Sequence, residues 1–557
     1  MLHFAVRLAL TTTLLAQPSA HGWRADVDSL VARIKRVHPR PWAHSTEAAF
    51  GRRAFALRAG AATRSVGELL SQMMQLTASL EDGHTYIEDL GPAGGKWFPV
   101  RFYLFDDGLW IAAMTPDHAE LAGAKVTQIG GTPADVAVAK MLQLSSADNY
   151  LGRREGAAFL ANAVLLKALK IIPNEETLVL TTSKGTTSLA AITTSKGDLS
   201  WPQYGEIYGP PGIELVTAFN KREGAAYRDP TKNADLPLHL RGRRAYWWTY
   251  LPKDSTVYFA LNNIAAKSSF SQYTLLQELK QALAHVDSAP DATTRFILDM
   301  RYNSGGDGSL TPAIVNEFVK RDGSIGRRGR LFVIVGRKTF SAAAGTVIEL
   351  AEHTSAIFVG EPMGVAYNSS GDAGHSVLPN QRIALSISTR SSTNTALDGI
   401  RVIPVQIPAA MTGVDYFAGR DPAVETILST RAPYPDVITT LQEHGGAAAR
   451  ALWKEQRDRY GAIDWWEPFR WEQLNAISYQ LLAQKRSDDA IAGFELNTER
   501  FPKRWEPWDS LGDAYRETGR RADAKGAYER ALALAPDNWN ADYQKRMIKD
   551  LSGSGPH

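Results

Sequence analysis

The spacing of apolar residues divides the chain into four stretches of different period. Between residues 24 and 82, Leu30, Val31, Ile34 and Val37 mark one helical face, and Leu69, Leu70, Met73, Met74, Leu76 and Leu80 mark another, with His38-Pro39-Arg40-Pro41-Trp42 as the break between them. From about residue 95 the period falls to two. Phe98 to Ala113 alternates around Asp106-Asp107-Gly108, a hairpin signal, and Ala124 to Pro133 reads as strand, tight Gly-Gly turn and helix start. Thr177 to Thr182 and Thr187 to Ile192 predict two more short strands of this small β-rich module.

The third stretch alternates strands with helices. Val257 to Leu261 is followed by an amphipathic helix (Leu275, Leu276, Leu279, Leu283), the strand Phe296 to Met300 and a helix near Pro312 to Val319. The strand Leu331 to Val335, the helix Ser341 to Glu352 and the strand Ala356 to Val359 complete the series. Strand–helix–strand succession with short loops predicts right-handed crossovers and a largely parallel sheet. In such a sheet functional loops gather at the carboxyl ends of the strands, where Asn303 to Gly306 and Ser341 both fall.

From about residue 450 the pattern is helical and repeats. Pro502 and Pro536, Ala490 and Ala524, and Phe494 and Tyr528 each stand 34 residues apart. With Trp508, Leu511, Gly512, Tyr515 and Ala531 in place, residues 505–538 look like a tetratricopeptide repeat, and 471–504 like a more degenerate copy. Two copies are few for a free-standing stack, so the segment Trp465 to Phe469 is expected to cap or dock them. The resulting division is 1–20 signal peptide, 21–93 helical region, 94–195 β module, 196–435 core and 445–557 repeat domain.

Composition narrows the function classes. The chain has 557 residues, no cysteine and a net charge of +3. Disulfides, thiol catalysis and zinc–thiolate sites are therefore excluded. The basic runs Arg241 to Arg244 and Arg327 to Arg330 are short and isolated, so a nucleic-acid face is not expected. Arg7, the apolar stretch Leu8 to Ala16 and the small residues Ser19 and Ala20 read as a secretory signal. No later segment approaches the length of a membrane span, so an exported protein, periplasmic or secreted, is expected.

Candidate chemistry lies in two distant segments, Leu80-Glu81-Asp82-Gly83-His84-Thr85 and the pair Asp299 to Gly306 with Thr339 to Ala344. A serine hydroxyl attacks well only when a base removes its proton and preorganised donors receive the oxyanion. Ser341 starts a predicted helix, where N–H groups are unpaired, and Gly305-Gly306 allow close backbone approach. Taken alone, Ser341 reads first as an ordinary N-cap. His84 is a base that is partly neutral at neutral pH, with His353 and His375 as rivals. A calcium loop from Asp307 lacks the required aspartate spacing.

The segments Leu-Glu-Asp-Gly-His-Thr, Leu-Asp-Met-Arg-Tyr-Asn-Ser-Gly-Gly, Thr-Phe-Ser-Ala-Ala-Ala and Val359-Gly-Glu-Pro-Met-Gly364 together resemble the tail-specific (C-terminal processing) protease family, in its tricorn-core and interphotoreceptor-retinoid-binding-protein branch. The resemblance covers roughly residues 24–430. It implies an α/β fold with a Clp-protease/crotonase-like core, a degenerate PDZ-like module around 95–195 and no cofactor. It also implies Ser341 as nucleophile, His84 as general base, and the N–H groups of Gly305 or Gly306 and Ala342 as oxyanion hole. The lysine of the Ser-Lys branch has no counterpart in Gly364-Val365-Ala366-Tyr367, and Lys338 does not match its position. Asp398 or Glu361 would orient the base, with Arg401 and Gln406 as departures near Asp398. Gly83 stands where the tricorn branch carries serine.

The expected activity is serine-type peptide hydrolysis through an acyl-enzyme, with a peptide or unfolded protein as substrate. An inactive member that binds a ligand or peptide is the alternative, and an adaptor that recruits a protein partner through its repeats is a third. Homo-oligomerisation stays open.

Overall fold

The computed structural model describes residues 19–193, 216–217, 236–241, 244–268, 271–288, 295–321, 324–325, 329–392, 399–430 and 433–552. The signal segment 1–18, half of each basic run (242–243 and 327–328), and Asp398 lie outside them.

Helices α1 (Ala20–Val37), α2 (Glu47–Ala59) and α3 (Val66–Ala78) form the N-terminal region. Ser65 and Glu68 close a capping box at the start of α3, and all six apolar residues predicted for its face are buried. Strand β1 (Tyr86–Asp89) follows. Strands β2 (Val100–Phe105) and β3 (Gly108–Met114) then form the predicted hairpin. Strand β4 (Val126–Ile129), helix α4 (Ala134–Leu142) and the paired strands β5 (Thr177–Thr182) and β6 (Gly185–Ala190) complete the β-rich part. The turn after β4 uses Gly130 and Gly131 at φ 57° and 81°. This part shares one apolar core with α1–α3, including Trp23, Leu70, Phe102, Ile129 and Leu165.

The second half is built on a six-stranded sheet. Strand β7 (Tyr246–Leu251), unforeseen in the sequence, pairs antiparallel with β8 (Thr256–Leu261) at one edge. Parallel pairings then join β8 to β9 (Arg295–Asp299), β10 (Leu331–Val335) and β11 (Ile357–Gly360). Helices α5 (Leu275–Ser288), α6 (Thr311–Val319) and α7 (Ala342–His353) make the connections. Strands β8 to β11 are buried at every position, as parallel strands covered on both faces must be. Strand β13 (Ala384–Ile387) returns to pair with β1, β12 (Gly374–Val377) pairs with the other edge of β13, and β14 (Ile407–Pro408) closes the far edge of the main sheet.

The all-α tail begins at α8 (Val437–His444) and α9 (Gly446–Tyr460), slightly before the expected boundary. The antiparallel pairs α10 (Trp471–Ala483) with α11 (Ser487–Arg500) and α12 (Trp505–Glu517) with α13 (Arg521–Leu534) follow, and α14 (Ala541–Ser552) covers the end. Gly512 lets Tyr528 pack against its backbone, since a Cβ there would sit 2.7 Å from the ring. The Trp465–Phe469 segment docks the tail on the core. Trp466 Nε1 donates to the Gln406 carbonyl at 3.2 Å, and Trp453 stacks on the same indole at 5.5 Å. No helix among the described residues is long and apolar enough to cross a membrane.

Candidate active site

The loop after β9 and the turn before α7 are fastened to each other. Asn303 Nδ2 donates to the Leu261 carbonyl at 2.9 Å, and the Asn303 carbonyl accepts from Phe340 N–H at 3.0 Å. Thr339 Oγ1 donates to the Met300 carbonyl at 2.8 Å and accepts from Gly336 N–H at 3.1 Å. Ser341 is thereby held at φ 52°, ψ −128°, immediately before α7. This conformation is rare for a residue with a side chain and costs on the order of 1–3 kcal/mol. Ser341 makes no side-chain cap, so the N-cap reading of this serine falls away.

Gly305 and Gly306 sit at φ 116° and 129°. A Cβ on Gly305 would lie 2.7 Å from Ser341 Cβ and 3.2 Å from Ala342 N, which places that loop directly against the serine. Gly305 N–H donates to Asn303 Oδ1 at 2.9 Å. The Gly306 and Ala342 N–H groups make no hydrogen bond among the described residues. Ala342 is the first residue of α7, where the helix dipole favours negative charge.

His84 arrives from the other half of the molecule. Its ring stacks on Phe340, the residue before Ser341, at 4.3 Å between centroids and 25° between planes. A Cβ on Gly83 would meet that Phe340 ring at 2.8 Å, which gives a steric reason for glycine here. The His84 ring nitrogens are buried and make no well-formed hydrogen bond among the described residues. Burial lowers the imidazole pKa, and the Asp82 carboxylate, the Ser370 backbone and Asp372 act in the opposite direction.

Asp82 anchors the base loop. Its Oδ1 accepts from His84 N–H at 3.0 Å, and its Oδ2 accepts from His38 Nε2 at 2.8 Å, Thr85 Oγ1 at 2.6 Å and Ser388 Oγ at 2.6 Å. Arg40 N–H donates to His38 Nδ1 at 3.1 Å, so the His38 proton resides on Nε2 and points at Asp82. Although burial opposes ionisation, these donors hold the Asp82 carboxyl down at about 2.

A second carboxylate ties this loop to the core. Asp148 Oδ1 accepts from Gly83 N–H at 2.7 Å and Oδ2 from Ala366 N–H at 3.2 Å, while Arg401 donates to its carbonyl. Neighbouring Asn149 Nδ2 lies 3.0, 3.3 and 2.9 Å from the carbonyls of Met363, Val365 and Arg401. Burial, reinforced by the charge on Asp82, pushes the Asp148 carboxyl up to about 7.

Of the sequence candidates, Ser341, Ala342 and the Gly305-Gly306 loop are brought to one place, and His84 reaches Phe340 beside them without a hydrogen bond to Ser341. Glu361 faces Arg337 instead, at 3.6 Å, beside the buried Arg337–Glu155 pair at 2.8 Å. The carboxylates bonded to the backbone of the base loop are Asp82 and Asp148. His375 pairs with Glu88 at 2.7 Å, His353 is exposed at the end of α7, and Lys338 is buried beside Glu155 at 3.5 Å. The sequence reading missed His38, Asp148, Asn149 and Ser388 as parts of the site. Asp82 could have been found from its place inside the His84 motif. The others lie too far along the chain from their partners to leave a local signal.

Comparison with known proteins agrees with this architecture. Residues 505–538 match the tetratricopeptide repeat family model. No curated protein matches the chain. Mature CPAF complexed with lactacystin shares 11% identity over 73% of this chain and 97% of its own, with a TM-score of 0.51. The photosystem II D1 C-terminal processing protease shares 13% identity over 73% of this chain and 96% of its own, with a TM-score of 0.32. The tricorn protease shares 12% over 79% of this chain and 37% of its own, with a TM-score of 0.31. The chain is a mixed helix/sheet protein with the fold seen in CPAF. It carries a C-terminal tetratricopeptide region, a type of repeat that suggests protein interaction.

Proposed function

We propose that this protein is a serine-type peptidase acting on peptide or unfolded polypeptide substrates. The reading rests most heavily on Ser341, held at positive φ on a strand-to-helix turn against Gly305, with its neighbour Phe340 stacked on His84. A strained serine at the mouth of a helix, beside a buried imidazole, is the arrangement acyl transfer uses.

In this mechanism His84 takes the proton from Ser341 Oγ as the oxygen attacks the scissile carbonyl carbon. The carbonyl oxygen becomes an oxyanion facing the Ala342 N–H and the Gly305-Gly306 loop. The C–N bond then breaks as His84 delivers its proton to the departing amine, leaving an ester on Ser341. Water, deprotonated by His84, hydrolyses that ester and restores the serine. Asp82 keeps the His84 loop in register through the backbone; Glu361 faces Arg337 instead, and Asp398, outside the described residues, stays a candidate to orient the base. The Clp-protease/crotonase-like core, the PDZ-like role of the 94–195 module, the stated domain boundaries, and the signal peptide with periplasmic or secreted export belong to the same proposal.

The test is fluorophosphonate labelling together with turnover of an unfolded protein. The chain should be labelled at Ser341, and Ser341→Ala should lose labelling and hydrolysis while keeping its circular dichroism spectrum. Equal turnover by Ser341→Ala removes the mechanism. The Gly305 N–H, already engaged by Asn303, favours the second reading, a ligand- or peptide-binding protein without turnover. Such a protein would bind peptide but leave the probe unreacted.

A further inference from the structure

Three tryptophans stand one repeat length apart in the tail, Trp471, Trp505 and Trp539, 34 residues between each. Trp471 and Trp505 open α10 and α12, and Trp539 precedes α14. Arg504 lies over the Trp471 ring at 4.7 Å, and Trp505 meets Trp539 edge-on at 5.5 Å. The result is a stripe of rings along one edge of the stack. Its outer end is wet, since Trp539 is 85% exposed, an extreme for the largest apolar side chain.

The inner end of the stripe enters a cleft of about 560 Å³ between the tail and the core, with Trp471 and Arg504 on one wall. Ile348 and Ala351 of α7 and Phe358 of β11 form the other wall. The nucleophile candidate is the residue before α7, so the cleft lies against the outside of the same helix that carries the site. Seven positions of helix separate Ser341 from Ile348, a rise of about 10 Å. An extended polypeptide covers that distance in roughly three to four residues.

The charges along the stripe specify the occupant. Arg470 is 3.7 Å from Glu472 and Arg504 is 2.7 Å from Glu506, so each repeat offers donors and acceptors side by side with no excess charge. A polyanion such as nucleic acid would gain nothing from such balanced rows. An extended main chain, which presents N–H and C=O groups together, complements them, and the indoles offer platforms for its apolar side chains. We propose that the stripe and cleft form a docking track for an extended segment of the polypeptide substrate, several residues away from the bond being cut. The proposal rests on the peptidase reading.

The test separates the two. In the Ser341→Ala chain, binding of fluorescein-labelled β-casein is measured by anisotropy, and Trp471→Ala with Trp539→Ala should raise Kd at least fivefold. Trp539→Ala is also measured alone, because its exposed ring contributes little to packing and its loss leaves the fold intact; it should raise Kd about twofold or more. In the active chain, the ratio of kcat/KM for β-casein to that for a blocked hexapeptide should fall by the same factor as the affinity. Among casein-derived peptides, KM should drop between six and twelve residues, where a substrate first spans cleft and serine together. Unchanged Kd, no β-casein binding by Ser341→Ala, or equal loss on both substrates overturns the track. A change in sedimentation from dimer to monomer on Trp539→Ala, with β-casein affinity kept, overturns it in favour of a contact between two copies. If neither substrate is cleaved, the peptidase reading fails while the binding arm still decides the track.

Discussion

Ser341 holds a backbone conformation that only glycine adopts cheaply, at φ 52° and ψ −128°. Relief of this strain and loss of the hydroxyl are separable effects. Ser341→Gly should stabilise the fold by about 1 kcal/mol, the strain released minus the extra entropy glycine loses on folding. Ser341→Ala keeps the strain and should be near neutral in stability. Urea unfolding of the two variants checks this, and a less stable Ser341→Gly would show that the conformation carries no load. At this scale much was legible. The Thr-Phe-Ser-Ala-Ala-Ala and Asn-Ser-Gly-Gly segments pointed to the right residues, because a strand–turn–helix with paired glycines is written locally. The strain itself was not legible. It arises from Met300 and Asn303, on another strand's loop, accepting from Thr339 and Phe340 of the turn.

At the scale of the element, the base loop 80–85 carries two titrations that act at different pH. Burial lowers the His84 pKa from its ordinary value near 6.5. Protonated His84 cannot accept the serine proton, so kcat/KM should fall with acid at a midpoint below 6.5. Asp82→Asn removes the charge that favours the imidazolium and should move that midpoint lower still, as a pH–rate profile would show. Stability responds to Asp82 on the acid side as well. Its folded pKa of about 2 lies below the unfolded value of 3.8, so its contribution is present above about pH 4 and lost as pH falls toward 2. That contribution is worth roughly 2 kcal/mol. The helix before this loop was readable from its apolar face. The anchoring was not, because His38 and Ser388 reach Asp82 across 44 and 306 residues.

At the scale of the whole molecule, the candidate nucleophile and base belong to different cores, the one around the parallel sheet and the one shared by α1–α3 with the β-rich part. The alternation of strands and helices made the parallel sheet visible in sequence, since buried strands read as continuous apolar runs. It could not show how the two halves meet. Strand β7, the return of β13 to β1, and the Asp148-Asn149 clasp are all contacts between distant segments. The clasp is the point on which joint placement of His84 and Ser341 turns. Asp148 holds Gly83, and Asn149 holds the Met363–Val365 loop segment, which follows β11 of the sheet from which the serine turn is built. Asp148→Ala would leave the Gly83 and Ala366 N–H groups without an acceptor, a cost of about 2 kcal/mol or more. Turnover should fall at least tenfold through kcat, with the tail helices unchanged by circular dichroism. The wild-type carboxyl adds a pH dependence of its own. Its folded pKa of about 7 lies above the unfolded value of 3.8, so its contribution is complete below about pH 4 and is lost as pH rises through 7. The urea midpoint of the wild type should accordingly decline relative to that of Asp148→Asn between pH 5 and 8. Parallel curves for the two proteins would mean that this carboxylate stays ionised throughout, and that the clasp holds the halves together by hydrogen bonds to a permanent anion.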